Sequence, residues 1–102
     1  MYNIFTSGRL FEWDENKNFE NQKKHGVPFL EAKSVFFDDR GREKYDLDHS
    51  AEEDRFLLLG LSECLRLLVV CYCYRRKYSM IRIISARKAN KLEEQLYWRK
   101  YQ

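Results

Sequence analysis

The stretch LRLLVVCYCYRRKYSMIRIISAR, residues 65–87, decides the fold. It holds two apolar runs, at about residues 66–75 and 78–86, which a short basic segment joins. So short a connection favours antiparallel neighbours, because a parallel pair needs a crossover of about a dozen residues. A third apolar run lies just upstream, at about residues 55–62. The sequence therefore predicts three consecutive antiparallel strands.

Strand alternation divides the middle run into two sets of side chains. The even-numbered residues 66–74 share one face and include Arg66, whereas the odd-numbered residues 67–73 are all apolar. We expect the mixed, even-numbered set to face a concave, partly solvated surface. The apolar set should then lie under the helices.

Two short helices are predicted upstream of these strands. LFEW, residues 10–13, indicates a short strand, and Asp14 is placed to N-cap the polar helix that follows. That helix should end at Gly26, which suits the left-handed C-terminal position, and Pro28 cannot continue it. Apolar residues at helical spacing then predict a second helix over residues 29–37.

The remaining segments complete a prediction of an α+β fold. Residues 38–50 are charged and rich in turn formers, with one edge strand near residues 43–47, and residues 89–101 indicate a final helix. We predict an antiparallel sheet of three or four strands, two N-terminal helices on one face, and a C-terminal helix packed nearby.

Length and composition favour one globular domain spanning residues 1–102. The chain is 44% hydrophobic and 34% charged, and its net charge is only +3. Any preference for nucleic acid must therefore come from clustered charge and not from the total. The longest apolar run, residues 65–74, is too short to span a bilayer, and no signal-peptide pattern opens the chain. We expect a cytoplasmic protein that does not bind membranes.

Three cysteines, Cys64, Cys71 and Cys73, argue against a disulfide framework, because their number is odd and no signal peptide precedes them. A zinc site needs about four ligands, and only two histidines, His25 and His49, are available to complete one. We therefore interpret the cysteines as small buried hydrophobes, and we predict neither a metal nor another cofactor.

Four separated blocks resemble the BrnT toxin family of bacterial type II toxin–antitoxin systems. They are FEWDENKNFENQKKHGVPFLEAKSVFFDD, DLDHSAEEDRFLLLG, LLVV, and IRIISARKA followed by EE and Y. The resemblance implies a RelE-like fold, ribonuclease activity that inhibits translation, and a BrnA-like antitoxin that binds promoter DNA. It also implies an assembly with more than one copy of each protein. The RNA substrate would be free or ribosome-bound, and DNA would be contacted only through the antitoxin.

RNA cleavage without a metal requires the ribose 2′-hydroxyl to attack the adjacent phosphate, while the site stabilises the added negative charge. Arginine suits this task, because its planar fork binds phosphate through two hydrogen bonds and stays protonated. By resemblance to RelE-like toxins, Arg66 and Arg87 match two phosphate-binding arginines, and Arg82 belongs to the BrnT-like pattern. Glu93 stands at the spacing of the catalytic tyrosine of RelE, so the general-base assignment of RelE does not carry over to this chain. We predict that Arg87, with Arg66 beside it, binds the scissile phosphate, and that Arg82 supports the same surface.

The other candidates are weaker, and each has a structural alternative. His25 is either a general acid or base or a cation that complements the end of its helix. Lys23, Lys24 and Lys88 are predicted to bind RNA, although exposed basic side chains are commonly solvated charges. Trp13 is expected in the core. Two function classes stay open: an mRNA endonuclease, and a non-catalytic module of the same fold that binds an antitoxin-like partner or nucleic acid.

Overall fold

The computed structural model describes residues 2–6 and 9–99 and contains six strands and three α-helices in that part of the chain. In chain order the elements are β1 (Tyr2–Thr6), β2 (Arg9–Trp13), α1 (Glu15–His25), α2 (Phe29–Ser34), β3 (Arg42–Tyr45), β4 (Phe56–Leu61), β5 (Leu67–Arg75), β6 (Met80–Lys88) and α3 (Lys91–Arg99). Short 3-10 turns occupy Val35–Phe37 and Leu47–His49. The α+β class and the order of the predicted elements are confirmed, whereas the last two residues of the predicted final helix lie outside the described residues.

The sheet is larger than predicted, and it is mixed. Its six strands are ordered β1-β2-β6-β5-β4-β3, and β2 runs parallel to β6. The prediction of a three- or four-stranded, wholly antiparallel sheet was therefore wrong. The chain between β2 and β6 contains two helices and three strands, so it is long enough to return parallel. Between β3 and β6 the pairs are antiparallel, as the short connections indicated.

The two N-terminal helices form as the sequence indicates, but only α2 supplies apolar residues to the core. Asp14 accepts hydrogen bonds from the amides of Asn16 and Lys17, and Gly26 ends α1 at φ 69°. Beyond the turn, Phe29 and Ala32 of α2 are buried in the core cluster. The one buried residue of α1 is the polar Asn21. The expectation that both helices pack on one face thus holds for α2, whereas α1 lies beside the edge of β6.

Asn21 attaches α1 to that edge by imitating a neighbouring strand. Its side-chain amide donates to the carbonyl of Ala86 at 2.8 Å and accepts from the amide of Ala86 at 3.1 Å. A further donation to the carbonyl of Val27, also 2.8 Å, closes the turn after the helix. Strand β2 pairs only with residues 80–82 of β6, so the rest of that edge would otherwise lack partners.

The helices cover the even-numbered side of β5, which reverses the predicted assignment of faces. Leu68, Val70 and Tyr72 are almost fully buried in the core with α2, and we call this side of the sheet the helix face. The odd-numbered residues Val69 and Cys71 lie on the opposite side. We expected the reverse because Arg66 and the tyrosines made the even-numbered set look more polar; their side chains contact other protein groups instead of solvent.

The opposite side of the sheet we call the basic face, after Arg42, Lys44, Arg82 and Arg87. Strand pairing defines it: Arg42, Leu59, Val69 and Arg87 lie in one row across β3, β4, β5 and β6. Helix α3 borders this face, where Arg42 Nη1 donates to the carbonyl of Leu96 at 2.7 Å. In the described part of the chain no helix is both long and apolar enough to cross a membrane.

Candidate active site

The most chemically suggestive pair on the basic face is Arg87 with Glu93, at the junction of β6 and α3. Arg87 Nη1 donates to Glu93 Oε1 at 2.8 Å, and Nη2 donates to Oε2 at 2.9 Å. The two side chains are 42% and 22% exposed. A guanidinium fork thus holds a carboxylate through two parallel bonds, in a position that solvent can reach.

Glu93 has a second role, because it also caps α3. The Asn90 side chain accepts from the amide of Glu93, and Glu93 Oε1 accepts from the amide of Asn90, both at 2.8 Å. This reciprocal arrangement is a capping box. It fixes Glu93 beside the end of β6 and so fixes the position of its carboxylate relative to Arg87.

The pairing perturbs both groups. The hydrogen bond from Arg87 is the main reason that the pKa of Glu93 lies below its ordinary 4.5. The same bond raises the pKa of Arg87. Lys44 also lowers the pKa of Glu93 through its charge. At neutral pH the site therefore holds an ionised carboxylate between fixed cations.

A small cleft of about 160 Å³ lies beside this pair, between α3 and the sheet. Arg42 and Lys44 of the edge strand β3 line it, and so do Glu93 and Leu96 of α3. Two further cations thus border the Arg87–Glu93 pair, a charge pattern suited to a polyanion.

Arg82 lies on the same face, further along β6. It is paired with Glu12 of β2, whose Oε2 accepts from its Nε at 2.7 Å and lies 2.7 Å from its Nη2. The Arg82 side chain is only 29% exposed. Arg82 therefore joins the parallel strands β2 and β6 and contributes charge to the basic face.

Arg66 is not beside Arg87, so the prediction that the two bind one phosphate does not fit the structure. Arg66 points to the helix face, where Nη2 and Nε donate to the two carboxylate oxygens of Glu31 at 2.5 and 2.9 Å. Nη2 also donates to the carbonyl of Gly26 at 3.0 Å. Strand parity separates the arginines: Arg87 pairs with Val69, whereas Arg66 shares its side with Leu68. Arg66 ties the start of β5 to α2 and to the turn after α1.

Glu31 completes that structural cluster. It is 6% exposed and accepts from the hydroxyl of Ser62 at 2.7 Å as well as from Arg66. The hydrogen bond from Arg66 is the main reason that its pKa is lowered. A buried carboxylate with these partners is well satisfied, and its geometry is that of a structural ion pair.

The remaining basic candidates are dispersed. Lys88 pairs with Leu68 on the helix face, where its charge acts on Glu31. Lys23 lies 5.1 Å from the ring centroid of Phe19 on α1. Lys24 and His25 line a surface depression of about 550 Å³ at the edge of β6, together with Ser85. That depression adjoins the strand that carries Arg87, whereas Lys88 directly follows Arg87 on the same strand.

The structural alternatives hold for several other residues. Trp13 is buried in the core, and Cys71 and Cys73 are buried as predicted. Cys64 is exposed, so the interpretation of it as a buried hydrophobe was wrong. Burial raises the pKa of the Cys71 thiol to about 11. His49 Nδ1 lies 3.0 Å from Asp46 Oδ2 within the turn that holds both residues. Among the described residues no three His, Cys, Asp or Glu side chains are grouped to hold a metal ion.

Sequence reasoning missed the partners of the arginines. Glu31, the partner of Arg66, carries no local signal, because a polar residue within a short helix normally faces solvent. Glu93 did carry one: Asn90 and Glu93 have the three-residue spacing of a capping box, which places Glu93 at the first turn of the final helix. That spacing brings it within reach of the end of the preceding strand.

The BrnT-like blocks lie on the elements that build this site. A family model described as "Ribonuclease toxin, BrnT, of type II toxin-antitoxin system" matches residues 13–93. The chain belongs to the BrnT family. Members of the family are thus described as ribonuclease toxins, and a type II system implies an antitoxin as the partner of this BrnT chain.

A solved structure shares the fold. The ribonuclease toxin BrnT of Brucella abortus is 23% identical to this chain, with a TM-score of 0.57. The match covers 79% of this chain and 96% of the Brucella protein. Comparison with curated proteins gives no match.

Proposed function

We propose that this BrnT family member is a metal-independent endoribonuclease that cleaves mRNA and so inhibits translation. The observation that carries the proposal is the Arg87–Glu93 pair on the basic face, with hydrogen-bond distances of 2.8 and 2.9 Å. It combines a fork for phosphate with a carboxylate that can accept a proton, and a 2′-hydroxyl attack requires both functions.

In the unbound protein, Glu93 occupies the place that a phosphate would take. Its two oxygens accept from Arg87 with the geometry that two phosphate oxygens would adopt. RNA binding therefore exchanges one anion for another at the same fork. Arg42 and Lys44 border the site and attract the incoming phosphates.

This exchange of Glu93 for a phosphate at the Arg87 fork also makes Glu93 a stronger general base. The bond from Arg87 is the main cause of the low pKa of Glu93, so the pKa rises when a phosphate takes over the fork. A carboxylate with a higher pKa is the stronger base for the 2′-hydroxyl. The 2′-oxygen then bonds to phosphorus as the bond to the 5′-oxygen breaks. The 2′ proton passes to Glu93, and the leaving 5′-oxygen takes a proton from solvent.

The antitoxin is proposed to cover this same surface. An acidic or amphipathic segment of a BrnA-like protein would neutralise the basic face, and opposite charge would speed its capture. We further propose more than one copy of each protein in the complex, and contact with DNA only through the antitoxin. Occlusion requires that Arg87 become inaccessible to solvent in the inhibited complex.

The test is cleavage of mRNA by the purified chain in the presence of EDTA, followed by mapping of the RNA ends. We expect 2′,3′-cyclic phosphate and 5′-hydroxyl ends, and cleavage slowed by about 10² to 10³ or more in a folded Arg87→Ala variant. Measurements with and without ribosomes decide whether the substrate is free or ribosome-bound RNA. Intact RNA under all these conditions, together with tight binding of the antitoxin, would favour the non-catalytic module instead.

A further inference from the structure

A second cleft, of about 380 Å³, opens on the helix face at the far end of β5 from Arg66. Its lining combines aromatic rings, one carboxylate and one arginine; the residues used below are Arg9, Phe36, Phe37, Glu43, Tyr72 and Tyr74. It shares neither Arg87 nor Glu93 with the candidate active site. Glu43 lines both clefts, so this one is a neighbouring place, on the other face of the sheet, where a planar, polar ligand could bind.

Glu43 is the polar centre of this cleft. The hydroxyls of Tyr72 and Tyr74 both donate to its Oε2, the latter at 2.8 Å. Burial is the main cause that raises the pKa of both phenols, so they remain protonated donors. Within the described part of the chain, Oε1 accepts no hydrogen bond. The tyrosines thus orient the carboxylate and leave one oxygen for a donor from outside.

The walls are aromatic, and part of them is exposed. Phe37 is 43% exposed at the cleft. Phe36 packs edge-on against Tyr72 with ring centroids 4.9 Å apart, so Phe36 and Tyr72 form a rigid floor. Tyr74 continues the aromatic surface to Tyr78, at 5.2 Å. Exposed rings beside cations are typical of surfaces on which nucleobases stack.

The hairpin tip beside this surface is basic and strained. Arg76, Lys77 and Tyr78 have φ values of 50°, 53° and 74°, a backbone region that glycine adopts far more easily. Such strain in non-glycine residues commonly accompanies function. Here the tip sets Arg76, Lys77 and an exposed tyrosine next to Tyr74, in a depression that Glu53 and Asp54 also line. Glu53 is paired with Arg75 at 3.3 Å, so the two cations of the tip can contact phosphates.

The edge strand β3 links the cleft with the candidate active site. Lys44 pairs with Leu57 on the basic face, whereas Glu43 pairs with Leu58 on the helix face. Successive residues of one exposed strand therefore belong to the two surfaces. Only the width of this strand separates them, so a single RNA strand that crosses β3 can reach both.

We propose that this cleft binds a nucleobase with an exocyclic amino group, namely adenine, guanine or cytosine, of the RNA substrate. The amino N–H donates to Glu43 Oε1, and the base stacks on Phe37 and Tyr74. Arg9 and the hairpin tip bind the neighbouring phosphates. Uracil offers only its ring N3–H, which is flanked by two carbonyl oxygens that repel the carboxylate, so it is discriminated against. The proposal rests on the proposed ribonuclease function in one respect: it takes RNA as the ligand.

The direct test is NMR titration of the full-length Arg87→Ala chain with AMP, GMP, CMP and UMP. We expect shifts at Glu43, Phe37 and Tyr74 with at least one amino-bearing nucleotide and much weaker binding of UMP. Glu43→Gln should remove the discrimination, and Phe37→Leu should weaken binding about tenfold or more. Glu63→Gln and Phe19→Leu are matched controls on other exposed surfaces and should bind as the parent does.

Three results would overturn the proposal: no binding of any nucleotide, equal binding of UMP, or binding that Glu43→Gln leaves unchanged. Cleavage assays separate this failure from that of the proposed function. If wild-type protein cuts RNA but the cleft binds no base, only the present proposal fails. If the cleft binds a base but RNA stays intact, the ribonuclease proposal fails and the cleft stands as a nucleotide site.

Discussion

Arg82 and Arg87 lie on the same face of the sheet although their five-residue separation on β6 should place them on opposite faces. A bulge explains this relationship, because Tyr72 pairs with Ile83 and Cys71 pairs with Ser85, so that Ile84 is an extra residue. An extra residue reverses the alternation of every side chain beyond it. Without it, Arg87 would share a side with the buried core residue Ile83, and the basic face would lose its central cation.

Arg66→Ala is expected to destabilise the protein without abolishing cleavage. The substitution leaves the buried carboxylate of Glu31 without its main partner, which should lower the free energy of unfolding by about 2 kcal/mol. Chemical denaturation gives this value, and single-turnover cleavage by the folded protein measures activity. If the variant lost cleavage but kept full stability, Arg66 would instead be assigned a role in the active site.

The same pair predicts how stability depends on pH. The pKa of Glu31 is lowered in the folded protein from its ordinary 4.5, so its ionised form favours folding. This contribution is complete above about pH 4.5 and is lost as the pH falls toward the lowered value. The melting temperature of Arg66→Ala should therefore fall less steeply with acid than that of the wild type. Parallel curves below pH 4.5 would argue against the assignment.

Asn21→Leu should be among the more damaging substitutions in α1. It removes the partners of both backbone groups of Ala86 and of the carbonyl of Val27, at an expected cost of about 2–3 kcal/mol. Glu20→Leu, one residue away and exposed, is the matched control and should change stability little. Hydrogen exchange at Ala86 provides a local measurement. Unchanged protection of that amide would show that Asn21 does not hold the edge of β6.

Sequence alone predicted the elements well, because their signals are local. Asp14 and Gly26 cap α1, and the short links between β4, β5 and β6 dictate antiparallel pairing. The parallel pairing of β2 with β6 depends on how the whole chain returns, so no local pattern reveals it. For this reason the predicted sheet was too small and wholly antiparallel.

The site was harder to predict because it depends on which face of the sheet each arginine occupies and on which residue each arginine pairs with. The bulge at Ile84 changes which side Arg87 occupies, and alternation in the sequence cannot show a bulge. Arg66 and Arg87 look alike in sequence, yet one contacts Glu31 and the other contacts Glu93 on the opposite face. Resemblance to the family made both arginines candidates, and the structure shows that they lie on opposite faces of the sheet.

Glu93→Gln separates binding from chemistry. Glutamine keeps the capping box but removes the carboxylate that competes for the Arg87 fork, so RNA should bind more tightly. Cleavage should nevertheless slow by about 10² or more, because the base is lost. RNA affinity and single-turnover rate are measured together, with the adjacent Glu94→Gln as control. Unchanged cleavage would remove Glu93 from the reaction.

The pH profile of the single-turnover rate adds an independent check on Glu93. A general base must be ionised, so the wild-type rate should fall on the acid side as the carboxylate is protonated. Because RNA displaces Glu93 from Arg87, this fall should lie at a higher pH than the lowered pKa of the unbound protein implies. Glu93→Gln should lack that fall, and an identical profile would assign the base elsewhere.

The central claim, that the Arg87 fork stabilises the scissile phosphate, is tested most directly by the single-turnover cleavage rate of Arg87→Lys at saturating RNA. Lysine keeps the positive charge but cannot form the two parallel bonds. The rate should fall by about 10² to 10³, nearly as far as for Arg87→Ala, while circular dichroism shows an intact fold. If Arg87→Lys cleaved RNA at a rate close to that of the wild type, the claim would be contradicted, and Arg87 would act only as a positive charge.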